Sequence, residues 1–152
     1  MSCSPAAPSS DHPETMGNLH VDLQDHPRAG TALPLRVMTL VGDLDLASVP
    51  RLRSATDLAL PADGTGGASD VVVDLASVEF IDSAGLGALL NTLRRTTKLG
   101  GRLALVGASE QAIRLFTMTG VNRVVSLHAT LAEAIARGPG FGHSAAPRAA
   151  LA

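Results

Sequence analysis

The residues with the clearest chemical potential lie in EFIDSAGLGALL, positions 79 to 90. An Asp82–Ser83 pair stands where an apolar segment gives way to a helical one, and Gly85 and Gly87 follow inside the helix. A serine at such a junction has two uses. Its hydroxyl, or the Asp82 carboxylate, can cap the helix by accepting a backbone N–H. Alternatively it can receive a phosphate, which the unpaired N–H groups and macrodipole of a helix N-terminus tolerate locally. The glycines bear on the choice, because each costs about 1 kcal/mol relative to Ala in a helix interior. On a wheel of about 100° per residue, Leu86, Leu89, Leu90 and Leu93 form one stripe, and Ser83, Gly87, Asn91, Arg94 and Lys98 fall opposite. Gly87 is therefore expected on the exposed side, where a bare patch beside Ser83 suits close approach by another protein. Gly85 either serves that same surface or lets the helix sit close to the sheet.

Other chemistries find less support. A hydrolase nucleophile elbow needs glycine two residues before its serine, and position 81 is Ile81. His128 with Glu110 or Asp45 would complete a triad only by assertion, since no spacing links them to Ser83. No phosphate-binding GxxxxGK[ST] loop and no dinucleotide fingerprint is present. His20, Asp22, Asp25 and His26 straddle a strand end and a turn without a recognised ligand spacing and read as solvated surface. No catalytic residue, metal site or cofactor is expected.

The totals suggest one domain plus tails. The 152 residues are 45% apolar, which suffices for one domain and its core, but only 2% aromatic. With few stacking surfaces and a net charge of -2, nucleic acid is not an expected partner. The single cysteine, Cys3, allows no internal disulfide. No secretory leader and no membrane-spanning run is evident, so a cytoplasmic location without membrane insertion is expected.

The elements that must position the serine follow from periodicity. Residues 19–24 and 35–41 read as a hairpin pair of strands across a turn-rich 25–34. A helix is expected over 47–60 on Val49, Leu52, Ala55, Leu58 and Ala59, with Pro50 in its first turn. Residues 61–70 form a loop, and VVVDL at 71–75 is a strand buried on both faces. The helix from Ser83 to about Lys98 ends at Gly100–Gly101. A strand at 102–107, a helix from the Ser109 cap through Thr119 to Gly120, a strand at 123–128 and a helix at 130–136 complete the chain. The fold class is α/β: a mixed sheet, opened by a hairpin, with helices packed on it. The domain spans 18–137, between disordered tails at 1–17 and 138–152.

Three segments, VGDLDLASVPRL (41–52), VVVDLASVEFIDSAGLGALL (71–90) and SEQAIRLFTMTGVNRVVSLHATLAEAI (109–135), give the chain a resemblance to STAS domains of bacterial anti-sigma factor antagonists. The resemblance implies a partner-switching protein. It would bind an anti-sigma factor, a serine kinase with a histidine-kinase-like ATP fold, and so free a sigma factor. The kinase would phosphorylate Ser83 and end productive binding, and a protein serine phosphatase would restore it. Asp45 and Asp82 match family positions flanking the phosphorylation site, and Ala84, Gly85, Leu86, Gly87 and Asn91 extend the expected partner surface. Two departures stand out: Ala84 replaces the second hydroxyl of many relatives, and the 61–70 loop is longer than usual. The resemblance also admits a non-switched subunit of a lipid-transport or stress-sensing complex.

Overall fold

The computed structural model describes residues 18–27, 34–60 and 70–137. The expected tails at 1–17 and 138–152, residues 28–33 of the turn and residues 61–69 of the loop lie outside the described residues. The alternating segments form β1 (His20–His26) and β2 (Leu35–Leu44), paired antiparallel. Val21 and Leu23 of β1 lie opposite Leu40 and Met38 and pack on the core from the edge. β2 then pairs in parallel with β3 (Val71–Ile81), β3 with β4 (Leu103–Val106), and β4 with β5 (Ser126–His128). The sheet order is β1-β2-β3-β4-β5.

Successive crossovers of one hand in one direction place their helices on one face of the sheet. Accordingly α1 (Val49–Ala59), α2 (Ser83–Lys98) and α3 (Glu110–Thr119) contribute Leu52, Ala55, Leu86, Leu89, Ala112 and Phe116 to a single core with Met38, Leu40, Val71, Val73 and Leu105. The last helix, α4 (Leu131–Arg137), covers the other face, with Ala134 against Leu35, Val37, Val72, Ala104 and Val106. Phe116 is the aromatic side chain of the larger core and is fully buried.

Four sequence expectations need correction. The third strand does not stop at Leu75 but continues to Ile81 along β2, through the pairs Val41–Ser77, Gly42–Val78, Asp43–Phe80 and Leu44–Ile81. Register irregularities between Thr39 and Val41 and between Gly42 and Asp43 break the period-two alternation that would have marked it. The buried face of α2 is also rotated: Gly85, Leu86, Leu89, Thr92 and Thr96 are buried, while Leu90 and Leu93 are half-buried at its margin. Threonines enter this core because their hydroxyls bond to the preceding helical turn, Thr92 to Ala88 O at 3.1 Å and Thr96 to Thr92 O at 2.8 Å. The Thr92 and Thr56 hydroxyls lie 2.9 Å apart across the α1–α2 contact. Thr56 thus occupies the inward position on α1, and Leu58, expected inside, is exposed. Finally, β5 is confined to 126–128, because 121–123 form a 3-10 turn after the left-handed Gly120 at φ 82°.

Candidate functional site at the carboxyl edge of the sheet

A single residue, Asp82, separates the end of β3 from the first residue of α2, which is Ser83. Asp82 is extended, at φ -106° and ψ -176°, and its carboxylate accepts the Gly85 N–H at 2.9 Å. Its carbonyl accepts the Leu86 N–H at 2.9 Å. The cap is therefore Asp82, and the capping use of the Ser83 hydroxyl is already filled by its neighbour. Ser83 itself is exposed in the first turn.

The two glycines do different work. A Cβ on Gly85 would overlap the Leu44 carbonyl, so its absence is what lets α2 pack against the end of β2. Gly85 and Leu86 are buried, which corrects their place on the expected partner surface: they shape the site from beneath and present no side chain outward. Gly87 is exposed, and a Cβ there would meet nothing within 4 Å. Ala84 and Asn91 are half-buried. The outward-facing part of the expected surface therefore consists of Ser83 and Gly87, bordered by Ala84 and Asn91.

Asp45 lies in the same region, just after β2, but is engaged locally. Its carboxylate accepts the Ser48 N–H at 3.2 Å, and the Ser48 hydroxyl, 2.8 Å from the Asp45 N–H, closes a capping box around the 46–48 turn. Ser48 is fully buried and also donates to Asp43 O at 2.9 Å. This structural role of Ser48 was not singled out in the sequence; the Asp-x-x-Ser spacing is its signal. Two apolar side chains were also missed. Leu46, beside Asp45, is 72% exposed, and Phe80, three residues before Ser83, is 47% exposed.

The region is acidic. The segments 42–48, 79–91 and 107–113 carry Asp43, Asp45, Glu79, Asp82 and Glu110, with Arg114 one turn after Glu110 on α3. The basic residues of α2, Arg94, Arg95 and Lys98, sit at its far end, with Arg95 paired to Asp57 at 2.6 Å. His128 is not brought to Ser83. It is buried at the end of β5, two strands away, with Nε2 at 3.3 Å from the Ser126 hydroxyl and Nδ1 at 4.0 Å from Glu133. The His20, Asp22, Asp25 and His26 set is likewise divided: Asp25 points to the opposite face of β1 from the other three and pairs with Arg36 at 3.3 Å. No helix among the described residues is long and apolar enough to cross a membrane.

A mixed sheet opened by a hairpin, with three helices on one face and an exposed serine heading the second, defines an α/β domain of the kind expected from the motifs. The chain belongs to the STAS domain family, whose model matches residues 21–134. It is similar to a Bacillus subtilis anti-sigma-B factor antagonist, 34% identical over 92 residues that make up 60% of this chain and 80% of that protein. Among solved structures, an anti-sigma factor antagonist from Mycobacterium paratuberculosis aligns with a TM-score of 0.64 and 27% identity, over 79% of this chain and 93% of the other. The Bacillus cell fate determinant SpoIIAA, in its phosphorylated form, aligns with a TM-score of 0.57 and 25% identity, over 78% and 98% of the two chains.

Proposed function

We propose that this protein is an anti-sigma factor antagonist that binds an anti-sigma factor serine kinase and is released from it when Ser83 is phosphorylated. The observation that carries this reading is the placement of Ser83: an exposed hydroxyl at the head of α2, relieved of capping by Asp82 and bordered by the open surface over Gly87. Relatives named as anti-sigma factor antagonists support the partner class. A phosphate adds about -1.5 to -2 charges at pH 7. On an edge that already holds five carboxylates, that charge adds to an acidic surface. Its effect then falls on the docked kinase rather than on the fold. A protein serine phosphatase would reset the switch, and the exchange would take place in the cytoplasm.

The test is to incubate the protein with ATP and candidate histidine-kinase-like serine kinases, then measure intact mass and map the modified peptide. One phosphate, on Ser83, is the expected result; phosphate on Ser77 or Ser109 would overturn the assignment. The Ser83→Ala protein should still bind the kinase, and the phosphorylated protein should bind 30- to 150-fold more weakly, about 2–3 kcal/mol. Equal affinities would instead mark a constitutive subunit. A Gly87→Arg protein should fold and fail to dock; normal docking would remove the α2 face from the proposal.

A further inference from the structure

The end of β3 is supported unequally on its two sides. On the β2 side its ladder runs to the pair Leu44–Ile81. On the β4 side it ends at Asp74–Val106, so Leu75–Ile81 has no strand neighbour there. Beyond Val106 the chain leaves β3: Gly107, at φ +72°, passes against Ala76 and donates its N–H to His128 O at 3.1 Å on β5. Something else must meet the outward carbonyls of β3 at its far end.

At Ile81 that partner is a side chain. Gln111, in the first turn of α3, donates from Nε2 to Ile81 O at 3.0 Å. The N–H of the same peptide unit belongs to Asp82 and donates to Leu44 O at 3.2 Å. In a trans peptide the C=O and N–H point in opposite directions. The Ile81–Asp82 peptide is therefore held from both sides, by β2 through one bond and by α3 through the other. It is the peptide that sets the direction of the chain into the Asp82 cap and Ser83.

We propose that Gln111 is a positioning residue for the phosphate acceptor, its amide standing in for the absent β4 neighbour and fixing the Ile81–Asp82 peptide so that Ser83 is presented in one orientation. The inference rests on the reading of Ser83 as the acceptor. The coupling runs through the hydrogen-bond donor and not through packing. Gln111→Glu keeps the shape and turns the donor into an acceptor facing a carbonyl; Gln111→Met keeps the length without a donor; Gln111→Lys keeps a donor.

Two measurements on the full chain separate this from a merely structural role. Amide hydrogen exchange at Asp82, read by NMR, should quicken about fivefold in the Gln111→Glu and Gln111→Met proteins, the equivalent of one neutral hydrogen bond, and return towards wild type in Gln111→Lys. With the kinase that modifies Ser83, the same two variants should lose a comparable factor in kcat at unchanged KM, and Gln111→Lys should recover it. Unchanged exchange at Asp82 in Gln111→Glu, a rise in KM alone, or a failure of Gln111→Lys to rescue would each overturn the proposal. If the wild-type protein accepts no phosphate on Ser83, the function reading falls, and with it the positioning role of Gln111 in phosphate transfer; the exchange rates would still decide whether the clamp exists.

Discussion

Gly85 and Gly87 are two residues apart in one helix, yet alanine should act on them with opposite sign. Intrinsic propensity favours Gly→Ala at either site by about 1 kcal/mol. At Gly87 nothing lies within 4 Å of the new methyl, so the full gain should appear. At Gly85 the methyl overlaps the Leu44 carbonyl oxygen and carbon, which are backbone atoms that cannot rotate away. Ordinary contact requires about 3.5 Å, so α2 or the end of β2 must retreat by about 1.5 Å. Overpacking of this kind costs about 1–3 kcal/mol. The retreat also strains the Asp82 N–H bond to Leu44 O, at 3.2 Å already long, at a further cost of about 1 kcal/mol. Subtracting the propensity gain leaves Gly85→Ala destabilised by about 1–3 kcal/mol. Urea unfolding of both variants, at matched m-values, measures the difference directly. A Gly85→Ala protein as stable as wild type, or a destabilised Gly87→Ala protein, would refute the assignment of one glycine to packing and the other to open surface.

Asp82→Ala should cost about 0.5–2 kcal/mol through loss of the bond to the Gly85 N–H, with Asp82→Asn recovering most of it, as thermal melting can show. Ser48→Ala should cost about 1–3 kcal/mol, because the buried hydroxyl closes the 46–48 capping box and its loss leaves the Asp45 N–H without that partner. Thr56→Val and Thr92→Val should each be mildly destabilising, and a double-mutant cycle should give a coupling of about 0.5–1 kcal/mol across their 2.9 Å contact; strict additivity would place no bond there.

Much of this domain is legible one segment at a time, because the signals involved are local. The alternation in β1 and β2, the Ser109 cap, the Gly120 stop and the start of α2 at Ser83 each depend on residues within a turn or two of one another. The exposure of Ser83 and Gly87 follows the same helical period that places Leu86 and Leu89 inside. The three segments at 41–52, 71–90 and 109–135, taken in order, carry enough of this pattern for the resemblance to STAS domains to be read without a fold.

What the sequence does not carry are the terms set by partners distant along the chain. The length of β3 depends on β2, with which it pairs through two register shifts that erase its alternation. The burial of Thr92 depends on Thr56, thirty-six residues away, because a threonine reads as polar until its hydroxyl is seen to be bonded. Leu58 is apolar and helical in its spacing, yet faces outward because the α1–α2 contact selects Thr56 instead. Of the two uses open to Gly85 in the sequence, packing is selected by the Leu44 carbonyl, which occupies the space a side chain would fill. Gln111 gives no local sign of its bond to Ile81, thirty residues earlier, since that bond exists only because β4 ends short of it. A sequence can specify the periodicity and caps of each element; which carbonyl, hydroxyl or methyl meets another is decided by where the sheet lets each strand end.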